Sequence, residues 1–128
     1  MNFHKPKLRS GLLSFRYAIF FIVLLAVLLR SYQITNPYTD VFGWRESSTA
    51  MMAANLYAGK TTLLYPMVNY GGPGPNYQGR EFQTVTYLTS KIYSLFGMNN
   101  WAGRAVSIFF GIIGLLSIYG LVREVWDR

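Results

Sequence analysis

Acidic and basic side chains gather between two apolar runs of this chain. Asp40 and the adjacent pair Arg45 and Glu46 follow the first run, Glu81 comes later, and Arg104 stands at the start of the second run. A carboxylate within hydrogen-bond distance of a hydroxyl group can act as a general base, and an arginine can hold a carboxylate or a phosphate through two parallel hydrogen bonds. These residues are therefore the first candidates for a functional site.

Structural roles are also available to the same residues. Asp40 could cap the helix that follows it, and Glu46 could interact only with the positive end of a helix dipole. Arg45 could simply lie on a solvated surface. The residue types alone leave both interpretations open.

A helix is predicted to position Glu46. The segment around Asn36-Pro37 should be extended, since the residue before a proline is disfavoured in the helical region. A helix then begins between Trp44 and Glu46, which places Glu46 in its first turn, and Gly59 is a natural end. Its inner face is predicted to be small and apolar, with members at helical spacing: Glu46, Ala50, Ala53, Ala54 and Tyr57.

Several other kinds of site are not indicated. The glycine-rich stretch at residues 71–76 lacks the spacing and lysine of a phosphate-binding loop, so it predicts a turn. The only histidine, His4, lies in the basic amino-terminal tail, away from any candidate serine nucleophile. With no cysteine, the chain has neither a disulfide nor a thiolate metal site. The outer-loop carboxylates would permit a divalent metal, but their spacing assigns no metal-binding residue.

The first apolar run predicts a transmembrane helix at residues 11–30. At 1.5 Å per residue it reaches roughly 28 Å, enough to cross the hydrocarbon if Arg16 extends to the near interface. A cleavable signal peptide shares the pattern of a basic start and an apolar core. Residues 28–32, however, offer no small-x-small cleavage site, so an uncleaved anchor is favoured.

The second run predicts a transmembrane helix at residues 101–122. Asn99 and Asn100 can cap its start, and Trp101 suits a membrane interface. Arg104 lies at the mouth of this span, where it either extends to the lipid headgroups or takes part in a site.

Composition and charge agree with a multi-pass protein of the inner or plasma membrane. Hydrophobic residues make up 52% of the chain and charged residues only 13%, below the roughly one quarter of soluble domains. The net charge of +7 comes from basic residues that mostly flank the apolar runs, without a nucleic-acid-binding motif, so we expect no nucleic-acid partner. Their positions predict cytoplasmic tails at residues 1–10 and 123–128 and an outer-face loop at 31–100, periplasmic or extracellular.

A second loop helix is predicted over residues 82–96, with Gly97 as its end. Its apolar face recurs at helical spacing: Val85, Leu88, Ile92 and Leu95. Both loop helices are expected to lie along the membrane surface. The predicted fold class is an all-α membrane protein, with two transmembrane helices joined by a long outer-face loop that contains two amphipathic helices.

A set of short motifs, spread over about residues 10–128, occurs in an order that resembles a known family. In chain order they are Asp40, Trp44-Arg45-Glu46, Thr49-Ala50, Tyr65-Pro66, Glu81-Phe82, Leu95-Phe96-Gly97 and Arg104. This order resembles the amino-terminal portion of the GT-C membrane glycosyltransferases of the protein O-mannosyltransferase and aminoarabinose transferase type, glycosyltransferase family 39 and its relatives.

The resemblance implies an enzyme that transfers a hexose or pentose from a polyprenyl-phosphate donor to an acceptor on the outer face of the membrane. The family's catalytic carboxylate lies in the first outer loop, which implies Asp40 or Glu46 as the base that deprotonates the acceptor hydroxyl. Many members have adjacent Asp-Glu where this chain has Arg45-Glu46, so both remain candidates. Arg45, Glu81 and Arg104 are the implied substrate-binding residues, and the arginines suit the departing lipid phosphate. No cofactor is implied beyond the lipid-linked donor.

Partners are also implied. Members of the family wind through many spans, and two helices cannot wall a cavity for a lipid-linked sugar. We therefore expect the chain to act as an amino-terminal segment, together with downstream transmembrane helices or a partner chain, in contact with the donor and membrane lipid. The alternative is a complete two-span membrane protein with a structural or partner-binding role and no catalysis.

Overall fold

The computed structural model describes residues 9–38, 43–79 and 82–126. Four helices dominate these residues: α1 (Arg9–Ser31), α2 (Trp44–Tyr57), α3 (Thr84–Phe96) and α4 (Trp101–Trp126). Between α2 and α3 the chain forms a small antiparallel hairpin of β1 (Met67–Val68) and β2 (Asn76–Tyr77). The mostly helical architecture is confirmed, and the hairpin corrects the all-α prediction.

The hairpin forms because the glycine-proline segment reverses the chain. Gly71 has a φ of +110°, which a residue with a side chain rarely adopts. The side-chain amide of Asn76 donates to the carbonyl oxygens of Gly72 and Gly74, at 3.0 and 3.3 Å, and so closes the loop. The turn predicted at residues 71–76 is confirmed, except that Asn76 already belongs to β2 and pairs with Val68.

Most of the helix ends predicted from local signals are confirmed, although α3 begins at Thr84 rather than at residue 82. Glu46 lies in the first turn of α2, and that helix ends just before Gly59, which has a φ of +69°. Gly97, with a φ of +76°, follows the last residue of α3. The side chain of Asn99 accepts a hydrogen bond from the backbone nitrogen of Ala102 at 2.9 Å, so the predicted cap of α4 is also present.

The described residues divide into two compact units. One contains α1 and the part of α4 from Ile112 onward, and here the large apolar side chains of both helices are mostly exposed. Within the described residues, one helix is long and apolar enough to cross a membrane: Trp101–Val125, with a mean hydropathy of 2.3. The apolar stretch found in α1, Tyr17–Ser31, is shorter.

The second unit runs from Gln33 to Gly111. In it α2 packs against α3 and β1. A small core joins Ala53 of α2, Tyr93 of α3 and Ala102 of α4, and both alanines are fully buried. The short side chain of Ala53 lies where α2 packs closely against α3.

The buried helix faces differ from those expected. Four residues of α3 are buried: Thr86, Thr89, Ser90 and Tyr93. On α2 the buried residues are Ser48, Met52, Ala53 and Asn55, so of the face predicted to be internal only Ala53 is buried. Periodicity finds an apolar stripe, whereas most of the residues that are buried on these two helices have small or short polar side chains.

Candidate functional site

The candidate site lies where α2 and α4 begin. Glu46 and Arg104 are far apart in sequence, yet Arg104 Nε donates to Glu46 Oε2 at 3.2 Å. The Arg104 side chain is only 20% exposed, whereas that of Glu46 is 55% exposed. The structure therefore brings together one predicted catalytic residue and one predicted substrate-binding residue.

Arg104 also holds the segment that follows α1. Its Nη1 donates to the backbone carbonyl oxygens of Gln33, Ile34 and Asn36, at 3.0, 3.1 and 2.8 Å. Gln33 has a φ of +57°, which is a left-handed conformation. Its carbonyl therefore does not continue the hydrogen-bond pattern of α1. A permanently charged guanidinium satisfies these acceptors and fixes the segment beside Glu46.

Tyr38 completes the surroundings of Arg104. The Arg104 guanidinium carbon lies 4.8 Å from the centre of the Tyr38 ring, within range of a cation–π interaction. The Tyr38 hydroxyl donates to the backbone carbonyl of Asn100 at 2.6 Å. Burial raises the pKa of Tyr38 above its ordinary value, Tyr93 and more weakly Glu46 raise it further, and the Arg104 cation opposes them.

The side chains of Thr89 and Tyr38 meet beside Gly103. A Cβ atom at this position would lie 3.7 Å from Thr89 Oγ1 and 3.8 Å from the Tyr38 hydroxyl. Both side chains therefore pack directly over the backbone of α4, one residue before Arg104. Sequence reasoning missed Tyr38 and Gly103, because neither has a local signal that points to a partner so distant in the chain.

Of the three other predicted site residues, the structure describes Arg45. Arg45 is exposed beside Glu46 in the first turn of α2, and its carbonyl accepts a hydrogen bond from Thr49 at 3.0 Å. Asp40 and Glu81 lie outside the described residues. Within residues 9–38, 43–79 and 82–126, no group of three or more His, Asp or Glu side chains could hold a metal ion.

A second polar region lies on the hairpin, which side chains anchor to α2. The buried Asn55 side chain donates to the carbonyl of Met67 at 2.7 Å and to the Asn69 side chain at 2.9 Å. The Tyr70 hydroxyl lies 3.2 Å from Ser48 Oγ and donates to the Gln78 side chain at 2.5 Å. An open cleft of about 510 Å³ runs along the hairpin, and its lining residues are uncharged.

Chemically, the stronger candidate is the pair at the helix starts. Glu46 presents a half-exposed carboxylate whose position is fixed by a largely buried arginine. Arg104 has the aromatic and backbone partners of a positioning residue, and its charge also suits an anion that reaches the same place. Comparison with protein-family models, curated proteins and solved structures finds no match to this chain.

Proposed function

We propose that this chain is the amino-terminal segment of a membrane glycosyltransferase. The enzyme would move a hexose or pentose from a polyprenyl-phosphate donor to an acceptor on the outer face of the membrane. The observation that carries the proposal is the 3.2 Å contact between Glu46 and Arg104, at the start of a helix apolar enough to cross a membrane. It joins two of the motifs on which the family resemblance rests.

The reaction needs a base and a group that receives the phosphate. As the acceptor oxygen bonds to the anomeric carbon, the bond from that carbon to the phosphate oxygen breaks, and polyprenyl phosphate leaves with the electron pair. Asp40 or Glu46 takes the hydroxyl proton. Arg45 and Arg104 are the candidates that stabilise the leaving phosphate, and Glu81 is a further candidate for substrate contact.

Membrane placement is part of the proposal. α1 and α4 would be the two spans, both tails would be cytoplasmic, and residues 31–100 would face outward. Support comes from the apolar side chains on the outside of both helices, with Leu28 and Ile118 each 61% exposed. Downstream transmembrane helices or a partner chain would complete the cavity around the donor.

One observation favours the alternative of a structural or partner-binding membrane protein without catalysis. Arg104 bonds three backbone carbonyls in addition to Glu46, as a residue would whose role is to hold the segment at residues 33–36 in place. The two functions differ in whether the carboxylates need their basicity.

Amide substitutions test this in membranes of the source cells, which supply any partner. Membranes that lack the chain are complemented with the parent, Asp40→Asn, Glu46→Gln or Glu124→Gln at matched protein levels. Transfer of labelled hexose and pentose from polyprenyl-phosphate donors is then measured. We expect Asp40→Asn to lower transfer most, by about 10² to 10⁴-fold, since an amide keeps the size of the acid but not its basicity. Glu46→Gln should rank second.

Glu124→Gln is the control, because it removes a carboxylate near the far end of α4 and should leave transfer unchanged. If Asp40→Asn retains activity while Glu46→Gln is inactive, the base is Glu46 and Asp40 is a cap. If both amide variants match the parent, or if membranes without the chain transfer sugar normally, the catalytic proposal is wrong. The purified chain alone should give no turnover, because two spans do not enclose the donor.

A further inference from the structure

The cleft along the hairpin combines aromatic rings, amide groups and glycine backbone. Its volume is about 510 Å³, within the range of roughly 300–1,000 Å³ that is usual for small-molecule sites. Seven described residues line it, all of them uncharged: Val68, Tyr70, Gly71, Pro75, Asn76, Tyr77 and Gln78. These seven residues offer no charge that could pair with a phosphate, a carboxylate or an organic cation.

The Tyr70 ring is held in place although this residue is 45% exposed. Its hydroxyl lies 3.2 Å from Ser48 Oγ on α2 and donates to Gln78 Oε1 at 2.5 Å. Because the hydroxyl is engaged, the part of Tyr70 that a ligand can contact is the ring. A ring that is already fixed loses little side-chain entropy when a ligand binds to it.

A second ring, that of Tyr77, is also supported. Tyr77 is 61% exposed, and the Tyr65 ring meets its ring edge-on, with centres 5.9 Å apart. Tyr65 belongs to a tight turn in which its backbone nitrogen donates to the carbonyl of Thr62 at 3.2 Å. The hairpin thus presents two tyrosine rings to the cleft, and a neighbouring side chain restrains each of them.

This lining selects for a ligand of mixed character. The face of an aromatic ring carries partial negative charge and attracts C–H groups with partial positive charge, such as those on one side of a pyranose ring. Amide side chains both donate and accept hydrogen bonds, which suits hydroxyl groups. A purely apolar ligand would cut the cleft amides off from water without replacing its hydrogen bonds. A ligand with a C–H face, several hydroxyls and no charge satisfies both requirements.

We infer that the hairpin cleft binds a neutral carbohydrate, with the rings of Tyr70 and Tyr77 against its C–H face. Tyr70 engages the oxygen of the Gln78 side chain, so the amide nitrogen of Gln78 is the group assigned to a sugar hydroxyl. The side-chain nitrogen of Asn76 closes the hairpin loop, and Asn76 therefore shapes the cleft. The inference concerns binding alone and does not require sugar transfer, since neither Glu46 nor Arg104 lines this cleft.

A proline-rich peptide is the other uncharged ligand that aromatic surfaces bind. Such peptides dock in grooves that aromatic side chains line. The Tyr65 and Tyr77 rings are in direct edge-to-face contact, so they leave no groove between them for a proline. Exposed ring faces without such a groove favour a sugar ring that stacks flat.

Saturation-transfer difference NMR tests the inference on the full-length chain. The chain is reconstituted in lipid nanodiscs, because many detergents carry a sugar headgroup that would compete. The probes are the methyl glycosides of glucose, mannose, galactose and arabinose, with glucose 6-phosphate and a polyproline peptide for comparison. Saturation of the sugar ring protons is measured during titration, and empty nanodiscs give the background.

Three variants locate the binding site. Tyr77→Ala removes one ring, Tyr77→Phe keeps it, and Tyr32→Ala removes a tyrosine that is 77% exposed outside the cleft. We expect the parent chain to bind at least one neutral glycoside, and Tyr77→Phe and Tyr32→Ala to match it. Tyr77→Ala should weaken binding roughly 3- to 10-fold, as expected for the loss of one aromatic contact.

Several outcomes would overturn the inference. They are saturation of no glycoside, equal binding by Tyr77→Ala and the parent, tighter binding of glucose 6-phosphate than of methyl glucoside, and binding of polyproline in place of sugars. Amide hydrogen exchange at Met67 and Val68 verifies that the hairpin stays paired in Tyr77→Ala. If it does not, a deuterated parent chain with protonated tyrosines decides, because a sugar bound in the cleft must still be saturated through tyrosine protons.

Discussion

At the scale of single residues, the contacts of Arg104 differ in what they contribute. A half-exposed ion pair such as that with Glu46 contributes about 0–1 kcal/mol, because water screens it and ordering both side chains costs entropy. A hydrogen bond from a charged donor contributes about 1.5–3 kcal/mol. The two hydrogens of Arg104 Nη1 are shared among three backbone carbonyls, in a side chain that is 20% exposed. The carbonyl contacts should therefore dominate the stability that Arg104 provides.

This difference predicts the order of two substitutions. Arg104→Met should lower the free energy of unfolding by about 2–4 kcal/mol, and Glu46→Gln by less than about 1 kcal/mol, measured by denaturant unfolding in detergent micelles. Arg104→Lys should fall between them, because an ammonium group lacks the planar fork that reaches the carbonyls and Glu46 together. A loss from Glu46→Gln as large as that from Arg104→Met would show that the ion pair dominates instead.

The raised pKa of Tyr38 predicts that the stability of the folded state changes with pH in the alkaline range. Its folded-state pKa is raised above the ordinary value of 10.0, chiefly by burial, so the folded state holds the proton more tightly than the unfolded state. The associated stability is present below about pH 10 and is lost as the pH rises through the folded pKa. Tyr38→Phe removes the bond to Asn100 and should cost about 0.5–1.5 kcal/mol at neutral pH.

The advantage of the parent over Tyr38→Phe should therefore shrink as the pH rises above 10. This stability difference is measured by thermal unfolding of both chains at pH values around and above 10, with circular dichroism as the readout. Tyr93, whose pKa is also raised by burial, interacts electrostatically with Tyr38, so the same comparison is made in a Tyr93→Phe background to remove its titration. A difference that is constant with pH would mean that the Tyr38 hydroxyl does not titrate with folding.

At the scale of elements, the hairpin depends on its loop more than on its strands. The strands are only two residues each, too short to be stable alone, and the loop is closed by Asn76. Asn55, 2% exposed, then ties β1 to α2. Because the buried Asn55 side chain donates to two residues of the hairpin segment, the hairpin is held against α2.

Two neighbouring glycines separate backbone strain from steric conflict in this loop. Gly71 and Gly72 have φ values of +110° and +99°, so an alanine at either costs roughly 1–2 kcal/mol in backbone strain. Only at Gly71 would the new Cβ meet a side chain, lying 3.0 Å from Asn76 Oδ1. Gly71→Ala should therefore increase amide hydrogen exchange in β1 and β2 more than Gly72→Ala does. When each glycine substitution is combined with Asn76→Ala, the additional exchange of Gly71→Ala over Gly72→Ala should vanish. If it persists, Asn76 is not its cause.

How far the sequence predicts this fold depends on the range of each signal. Glu46 in a first turn, Gly97 as a helix end and Asn99 as a cap follow from neighbours only a few positions away. The inner face of α3 was not predictable, because it is made of small polar residues that no hydropathy pattern distinguishes from a solvated surface. The hairpin was missed because two-residue strands carry no alternation.

The candidate site was predicted as a set of residue types rather than as an arrangement. Glu46 and Arg104 were chosen for their charge and their places beside the apolar runs, and the structure brings them together. The carbonyls that Arg104 also binds, and the ring of Tyr38 beneath it, have no sequence signal, because backbone acceptors are present at every position. Asp40 and Glu81 stay predictions.

At the scale of the whole molecule, one helix serves two purposes. The first turn of α4 carries Arg104, which holds the candidate site, and the later turns of this helix are apolar and mostly exposed. Under the proposed function, the orientation of the chain would decide on which side of the membrane the Glu46 carboxylate meets its substrate.

That orientation is the last prediction. In the cysteine-free chain, Leu64→Cys probes the loop at a residue that is 85% exposed, and Asn2→Cys and Asp127→Cys probe the two tails. Because basic residues cluster at the tails and an even number of spans returns the chain to the side where it started, only Leu64→Cys should react with an impermeant maleimide added to intact cells. All three should react after lysis. Labelling of both tails in place of the loop would reverse the orientation. Labelling of the loop together with Asn2→Cys would mean that α4 is the one helix that crosses, because positions before and after α1 would then share the outer face.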